Sequence, residues 1–128
     1  MSALLDSHAF LWFITGSAKL SSTARSVIED QSQQRLLSVA SLWEIAIKQS
    51  LGRLTLAGPF KKIIPLQLKT NGIELLSIEF DHLDVMVTLP FHHRDPFDRL
   101  LIAQAMLRQI PIVSADTAFD AYPVARLW

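Results

Sequence analysis

Two rhythms of apolar and polar residues run along this chain, and each change of rhythm marks an element. Residues 2–5 (SALL) are a short apolar run closed by Asp6, the pattern of a buried strand. Ser7 to Ile14 is apolar nearly all round and is closed by Thr15-Gly16, which predicts a buried helix. A second helix opens at Leu20-Ser21 and extends to Gln31, with Ala24, Val27 and Ile28 on its inner face. Residues 35–39 (RLLSV) read as a second strand. Ser41 and Glu44 then have the spacing of a capping box, predicting a helix that ends at Leu51 before Gly52. In Pro59–Thr70, Phe60, Ile63, Ile64 and Leu68 share one helical face, and Pro65 predicts a kink or a restart. Asn71-Gly72 closes it, residues 73–78 (IELLSI) form a third strand, and Phe80–Thr88 a short helix ended by Leu89-Pro90. Asp95-Pro96 reads as the N-cap and first position of a helix to Arg108, whose many apolar residues predict deep burial. Residues 110–114 (IPIVS) make a fourth strand, and Val124–Trp128 a fifth.

Strands alternating with helices imply right-handed βαβ units, hence a parallel sheet of four to five strands covered on both faces. The expected architecture is a three-layer α/β/α domain occupying residues 1–128. Sites in such sheets form outside the carboxyl ends of the strands. Asp6 ends the first strand, Glu44 lies in the helix after the second, and Asp116 follows the fourth. Asp98 opens the helix leading into the fourth strand; that helix runs antiparallel to the strand, which returns Asp98 to the same edge. Four carboxylates distant in sequence are thus expected at one rim.

Composition narrows the chemistry. The 128 residues are enough for a real core, and half are hydrophobic. Mean hydropathy is +0.29, which suggests an apolar surface for a partner. No apolar run reaches the ~20 residues of a membrane span. The opening MSALLDSHAF lacks a basic n-region, so no signal peptide is expected and the cytoplasm is the expected location. Without cysteine there are no disulfides or thiolate metal sites. Twelve basic residues balance twelve acidic ones. They are unevenly placed: Lys48, Arg53, Lys61, Lys62 and Lys69 form a stretch free of acids, a candidate RNA-tracking surface or simply a solvated face.

Carboxylates crowded together repel unless a cation neutralises them, and no lysine partner for the rim is evident. With no Cys and no spaced His pair, the donors are oxygens, which suits Mg²⁺ or Mn²⁺ rather than zinc. Such sites serve phosphoryl transfer with one or two ions. Taken singly, each acid has a plainer role: Glu44 in a capping box, Asp98 against a helix dipole, Asp6 and Asp116 in turns. Asp95 reads as a cap rather than a ligand. Other folds with acids at a sheet rim fit poorly. A receiver-like domain wants adjacent acids after the first strand and a late lysine, yet none follows Lys69. An aspartyl phosphatase wants a second Asp where His8 stands, and a nucleotide switch wants a G-x-x-x-x-G-K that is absent.

The segments LLDSHAFLW, SVASLWEIAIKQSLGRL, HHRDPFDRLLIAQA and IVSADTAF, in this order across nearly the whole chain, resemble the PIN-domain nucleases. More narrowly, they are similar to the VapC-type toxins of prokaryotic type II toxin–antitoxin pairs. The resemblance implies a PIN-like domain, Mg²⁺- or Mn²⁺-dependent endoribonuclease activity on RNA, and inhibition by a cognate antitoxin. It also implies a homodimer or a toxin–antitoxin hetero-oligomer. The family's acidic positions fall on Asp6, Glu44, Asp98 and Asp116, with Asp120 competing for the fourth place. Asp6 and Asp98 are then expected as direct ligands, Glu44 as a ligand directly or through water, and Asp116 on a second, weaker ion. Ser7 and Ser114 adjoin these acids as water or phosphate holders or as turn residues. Arg94 and Arg99 are expected to orient phosphate or pair with Asp95 or Asp98, and His92 and His93 to be loop residues touching RNA. Trp12 and Trp43 are expected in the core. The alternative to a nuclease is a PIN-fold module that keeps the acids but acts by binding RNA or protein.

Overall fold

The computed structural model describes residues 1–128, and the expected α/β/α order holds. Strand β1 (Ser2–Leu5) leads through Asp6 into helix α1 (Ser7–Thr15), and α2 (Ser22–Glu29) returns the chain to β2 (Gln34–Ser38). Helices α3 (Val39–Ser50) and α4 (Phe60–Asn71) precede β3 (Glu74–Leu76). Helices α5 (Phe80–Thr88) and α6 (Pro96–Arg108) then lead to β4 (Ile112–Val113), a 3-10 turn at Thr117–Ala121 and β5 (Arg126–Leu127). All strands are parallel, in the order β3-β2-β1-β4-β5. No helix is long and apolar enough to cross a membrane.

The period-two alternation of the strands sorts the core into two layers. Ala3, Leu5, Leu37 and Val113 face one way, against Phe10 of α1, Ile28 of α2, Ile45 of α3 and Ile64 and Leu68 of α4. Leu4, Leu36, Leu76 and Ile112 face the other, against Leu101 and Ile102 of α6, Phe119 and Tyr122. Both faces are covered, so every sheet residue of β1 after Ser2 is buried.

Local details depart from expectation in two places. Ser38, not Ser41, caps α3, accepting from the Ala40 amide at 3.1 Å. The helix therefore starts three residues before the expected box, and Glu44 is free of capping duty. Helix α4 also runs unbroken through Pro65. That proline is on the exposed face, where the carbonyl deprived of its donor can meet water.

Strand order reverses beside β1: β2 and β3 extend to one side, β4 and β5 to the other. The crevice beyond the carboxyl ends of β1 and β4 is therefore the switch point where such sheets hold ligands.

Candidate active site

Asp6, Asp98 and Asp116 line one cleft of about 310 Å³ at that switch point, together with His8, Trp12 and Ala115. Each is placed by the element it starts. Asp6 caps α1, its Oδ1 accepting from the Ala9 amide at 2.7 Å. Asp116 caps the 3-10 turn through Oδ1, accepting from Ala118 at 2.9 Å. Asp98 stands in the first turn of α6, behind Asp95, whose Oδ1 caps the Phe97 and Asp98 amides. Capping and site formation are thus not alternatives for Asp6 and Asp116, because each uses one carboxylate oxygen for the cap and still faces the cleft. Asp95 is a cap, as read from the sequence.

Glu44 is buried on α3 beside the cleft. Its Oε1 accepts from the Ser7 hydroxyl and its Oε2 lies 3.2 Å from Lys48 Nζ. The expectation that the rim lacks a lysine is therefore corrected, since Lys48 is one helical turn on from Glu44 and shares its face. The negative charge of Glu44 is nonetheless felt by both Asp6 and Asp98.

The electrostatics record the crowding. Burial, then the neighbouring charges of Asp95, Glu44 and Asp6, push the Asp98 carboxyl up to about 7, against the pull of His93. Burial also raises Asp6, partly offset by Ser114, the Ala9 amide and His8. Asp120, the rival for the fourth place, lies outside this cluster. It is held by Arg126 at 2.9 and 3.1 Å, which lowers its carboxyl below the ordinary value.

A further member is His93, whose expected place is in a loop. Its Nε2 lies 3.0 Å from Asp98 Oδ2 and 3.1 Å from Asp116 Oδ2. Its Nδ1 accepts the Asp95 amide at 3.2 Å, so the Nε2 nitrogen carries the proton and donates to the carboxylates. The loop behind it is firmly set. Arg99, 4% exposed, donates to the carbonyls of Met86, Leu89, Pro90 and His93. Tyr122 accepts the His93 amide at 2.8 Å and donates to the Pro90 carbonyl. Arg99 is thus a strut for the loop and pairs with neither Asp95 nor Asp98, contrary to expectation. The available signal for His93 was its position two residues ahead of the α6 cap.

Trp12 lines the cleft rather than the core alone, and Trp43 is 61% exposed, edge-on to Phe97 at 5.2 Å. Ser114 is buried and accepts the Asp116 amide at 3.0 Å, so it sets the turn that carries that acid. His92 packs on Tyr122 at 5.3 Å, away from the cluster.

The donor set fits a hard divalent cation. Oxygens of Asp98 and Asp116 lie within 4.8 Å of each other with the His93 Nε2–H between them, and the raised Asp98 carboxyl marks crowded negative charge that a cation would relieve.

A five-stranded parallel sheet with its acids gathered at the switch point is the arrangement of a known α/β class. The chain belongs to the PIN domain family, whose model matches residues 3–125. Ribonuclease VapC16 of Mycobacterium tuberculosis is 36% identical over 58 residues, which span 45% of this chain and 41% of that protein. Among solved structures, VapBC2 from Rickettsia felis bound to a DNA fragment from their promoter aligns with a TM-score of 0.73. That alignment covers 98% of this chain and 97% of the other at 12% identity. A toxin–antitoxin complex from Klebsiella pneumoniae aligns with a TM-score of 0.66 at 18% identity, over 94% and 92% of the two chains. At these identities the structural likeness is one of fold.

Proposed function

We propose that residues 1–128 act as one nuclease domain, a metal-dependent endoribonuclease that serves as the toxin of a toxin–antitoxin pair in the cytoplasm. The observation that carries this reading is the meeting of Asp6, Asp98 and Asp116 in one cleft at the switch point, with Glu44 buried beside them. Asp6, Asp98 and Asp116 would hold Mg²⁺ or Mn²⁺, with Glu44 directly or through water. When bound, the ion supplies a water of lowered pKa and positive charge opposite the phosphate. The chain's own residues do the rest. Ser7 and Lys48 hold Glu44 in place, and Ser114 sets the turn under Asp116. His93 fixes the separation of Asp98 and Asp116. The fold relatives are toxin–antitoxin complexes by description, which supports an antitoxin as partner. Trp43 within α3 and Leu51 just past its end are 61% and 60% exposed, and with Ile47 they offer one helical stripe to an amphipathic partner helix. A basic side chain from that partner, an arginine by its fork geometry, would enter the carboxylate cleft.

One experiment tests both parts. Labelled RNA is incubated with the protein and Mg²⁺ or Mn²⁺, beside Asp98→Asn, with and without the product of the neighbouring gene. Metal-dependent cleavage lost in Asp98→Asn and suppressed by the neighbour is the expected result. Binding without cleavage at any metal concentration would instead make this a PIN-fold binding module.

A further inference from the structure

A second hollow adjoins the acidic cleft. His8, Leu11, Trp12 and Thr15 stand at i, i+3, i+4 and i+7 on α1, a stripe that starts beside Asp6 and runs away from the rim. Facing it are Lys48 near the end of α3 and, just beyond that helix, Arg53 and Leu54, which together enclose about 300 Å³. His8 and Trp12 line the acidic cleft as well, so the two hollows adjoin at these rings, whose centroids are 5.6 Å apart.

Charge changes sign at that boundary. On one side are Asp6, Asp98 and Asp116; on the other are Lys48 and Arg53, with Lys19 Nζ 6.0 Å from the Trp12 ring. Arg53 and Lys19 belong to no ion pair, and only Lys48 is shared, with Glu44. A ligand that spans both hollows therefore needs one anionic group held at the acids through the cation they would bind, a flat apolar body over Trp12, Leu11 and Leu54, and a second anionic group at Lys48 and Arg53. A nucleotide strand has that alternation. Its base must be unpaired and unstacked to present a face to Trp12, which a duplex does not allow. At about 300 Å³ the hollow is at the small end of ligand pockets, roughly 300–1,000 Å³, which suits a single nucleotide unit.

We propose that this hollow is a nucleotide subsite of the active site, taking the unpaired base beside the scissile phosphate of single-stranded RNA against Trp12 and the next phosphate at Arg53 and Lys48. The proposal rests on the nuclease reading for what happens in the cleft, but its test does not.

Binding of a short labelled single-stranded oligoribonucleotide is measured in EDTA, across a salt series, so that no cleavage occurs. Arg53 and Thr15 are exposed, so Arg53→Ala and Thr15→Trp leave the fold intact, which circular dichroism checks. Arg53→Ala is expected to weaken binding and to flatten the log–log salt slope by about 0.7, one single-strand phosphate. Thr15→Trp, which fills the hollow, is expected to weaken binding roughly ten-fold, in the range of one lost base stack. An abasic nucleotide beside the cleavage site should bind the unchanged protein equally weakly. Unaltered affinity and slope in both variants would overturn the subsite. So would variants that keep RNA binding but lose the neighbouring gene product, which would make the hollow a protein-docking site. Hydrolysis of a small phosphodiester with Mn²⁺, run in parallel, reads the cleft alone. If it fails while the binding pattern holds, the nuclease reading falls and the subsite stands.

Discussion

The acids at the cleft differ in how much of each carboxylate is committed to the protein's own contacts. Asp6 and Asp116 give one oxygen to a cap, Glu44 gives one to Ser7 and one to Lys48, and Asp116 and Asp98 share the proton of His93. Asp98 carries the heaviest cost, since its carboxyl is buried among like charges and rises from 3.8 to about 7. The folded chain therefore binds this proton more tightly than the unfolded chain. Its contribution to stability is complete below the unfolded value of 3.8 and is lost as pH rises through about 7. The metal-free protein should accordingly lose stability between those values, by a few kcal/mol at most given ~1.4 kcal/mol per unit. Asp98→Asn should flatten that slope and leave the protein at least as stable at pH 7. Urea unfolding in EDTA at a series of pH values checks it; a slope unchanged in Asp98→Asn would assign the titration to another group. At this scale the sequence was informative about acids and poor about their neighbours. The four carboxylates could be placed because strand ends are legible. His93 and Arg99 could not, because their roles depend on a loop conformation fixed by contacts with Tyr122 and the end of α5.

Among the elements, the clearest difference between reading and structure is the start of α3. Ser41 and Glu44 have capping-box spacing, but the apolar run Leu36–Leu37 ends in time for Ser38 to cap instead. Ser41 is left buried with its hydroxyl unpartnered, and Glu44 is free to bond Ser7 and Lys48 beside the cleft. Ser38→Ala should destabilise the protein by ~1 kcal/mol, the usual worth of an N-cap serine. Ser41→Ala should be neutral or slightly stabilising, because it removes a desolvated hydroxyl that has no bond to lose. Thermal melts of the two variants discriminate them; equal losses would return the cap to Ser41. The strands show the complementary limit. Residues 73–78 and 110–114 were read as strands from their apolar runs, yet only Glu74–Leu76 and Ile112–Val113 pair. Apolar runs report burial, and Ile73, Ile78, Ile110 and Pro111 beside those pairs are buried or half-buried although they lie outside the paired strand residues.

For the whole molecule, layer order and the placing of the site at the carboxyl ends of the strands followed from the alternation of strands and helices, while the switch point beside β1 rests on the strand order, which alternation alone does not give. The exposure of Trp43 and Leu51 did not, since an apolar helical stripe looks the same whether it faces a core or a partner. The site also ties global stability to an ion. Only the folded chain brings Asp6 from β1, Asp98 from α6 and Asp116 from beyond β4 into one cleft, so an ion held there favours folding by mass action. At an ion concentration about a hundred times its Kd the gain is ~2.7 kcal/mol. For a domain of this size that corresponds to a rise in Tm of roughly 10 °C. Mg²⁺ or Mn²⁺ should produce that rise in the unchanged protein and little of it in Asp98→Asn. Comparing Asp116→Asn with Asp120→Asn then settles the fourth acid. Asp120 is occupied by Arg126, so its amide variant should keep the full metal-dependent shift, while Asp116→Asn should lose part of it. Melts in EDTA and in metal for all three variants measure this directly. A shift lost in Asp120→Asn and retained in Asp116→Asn would exchange their assignments, and a shift retained in every variant would place the ion outside the cleft.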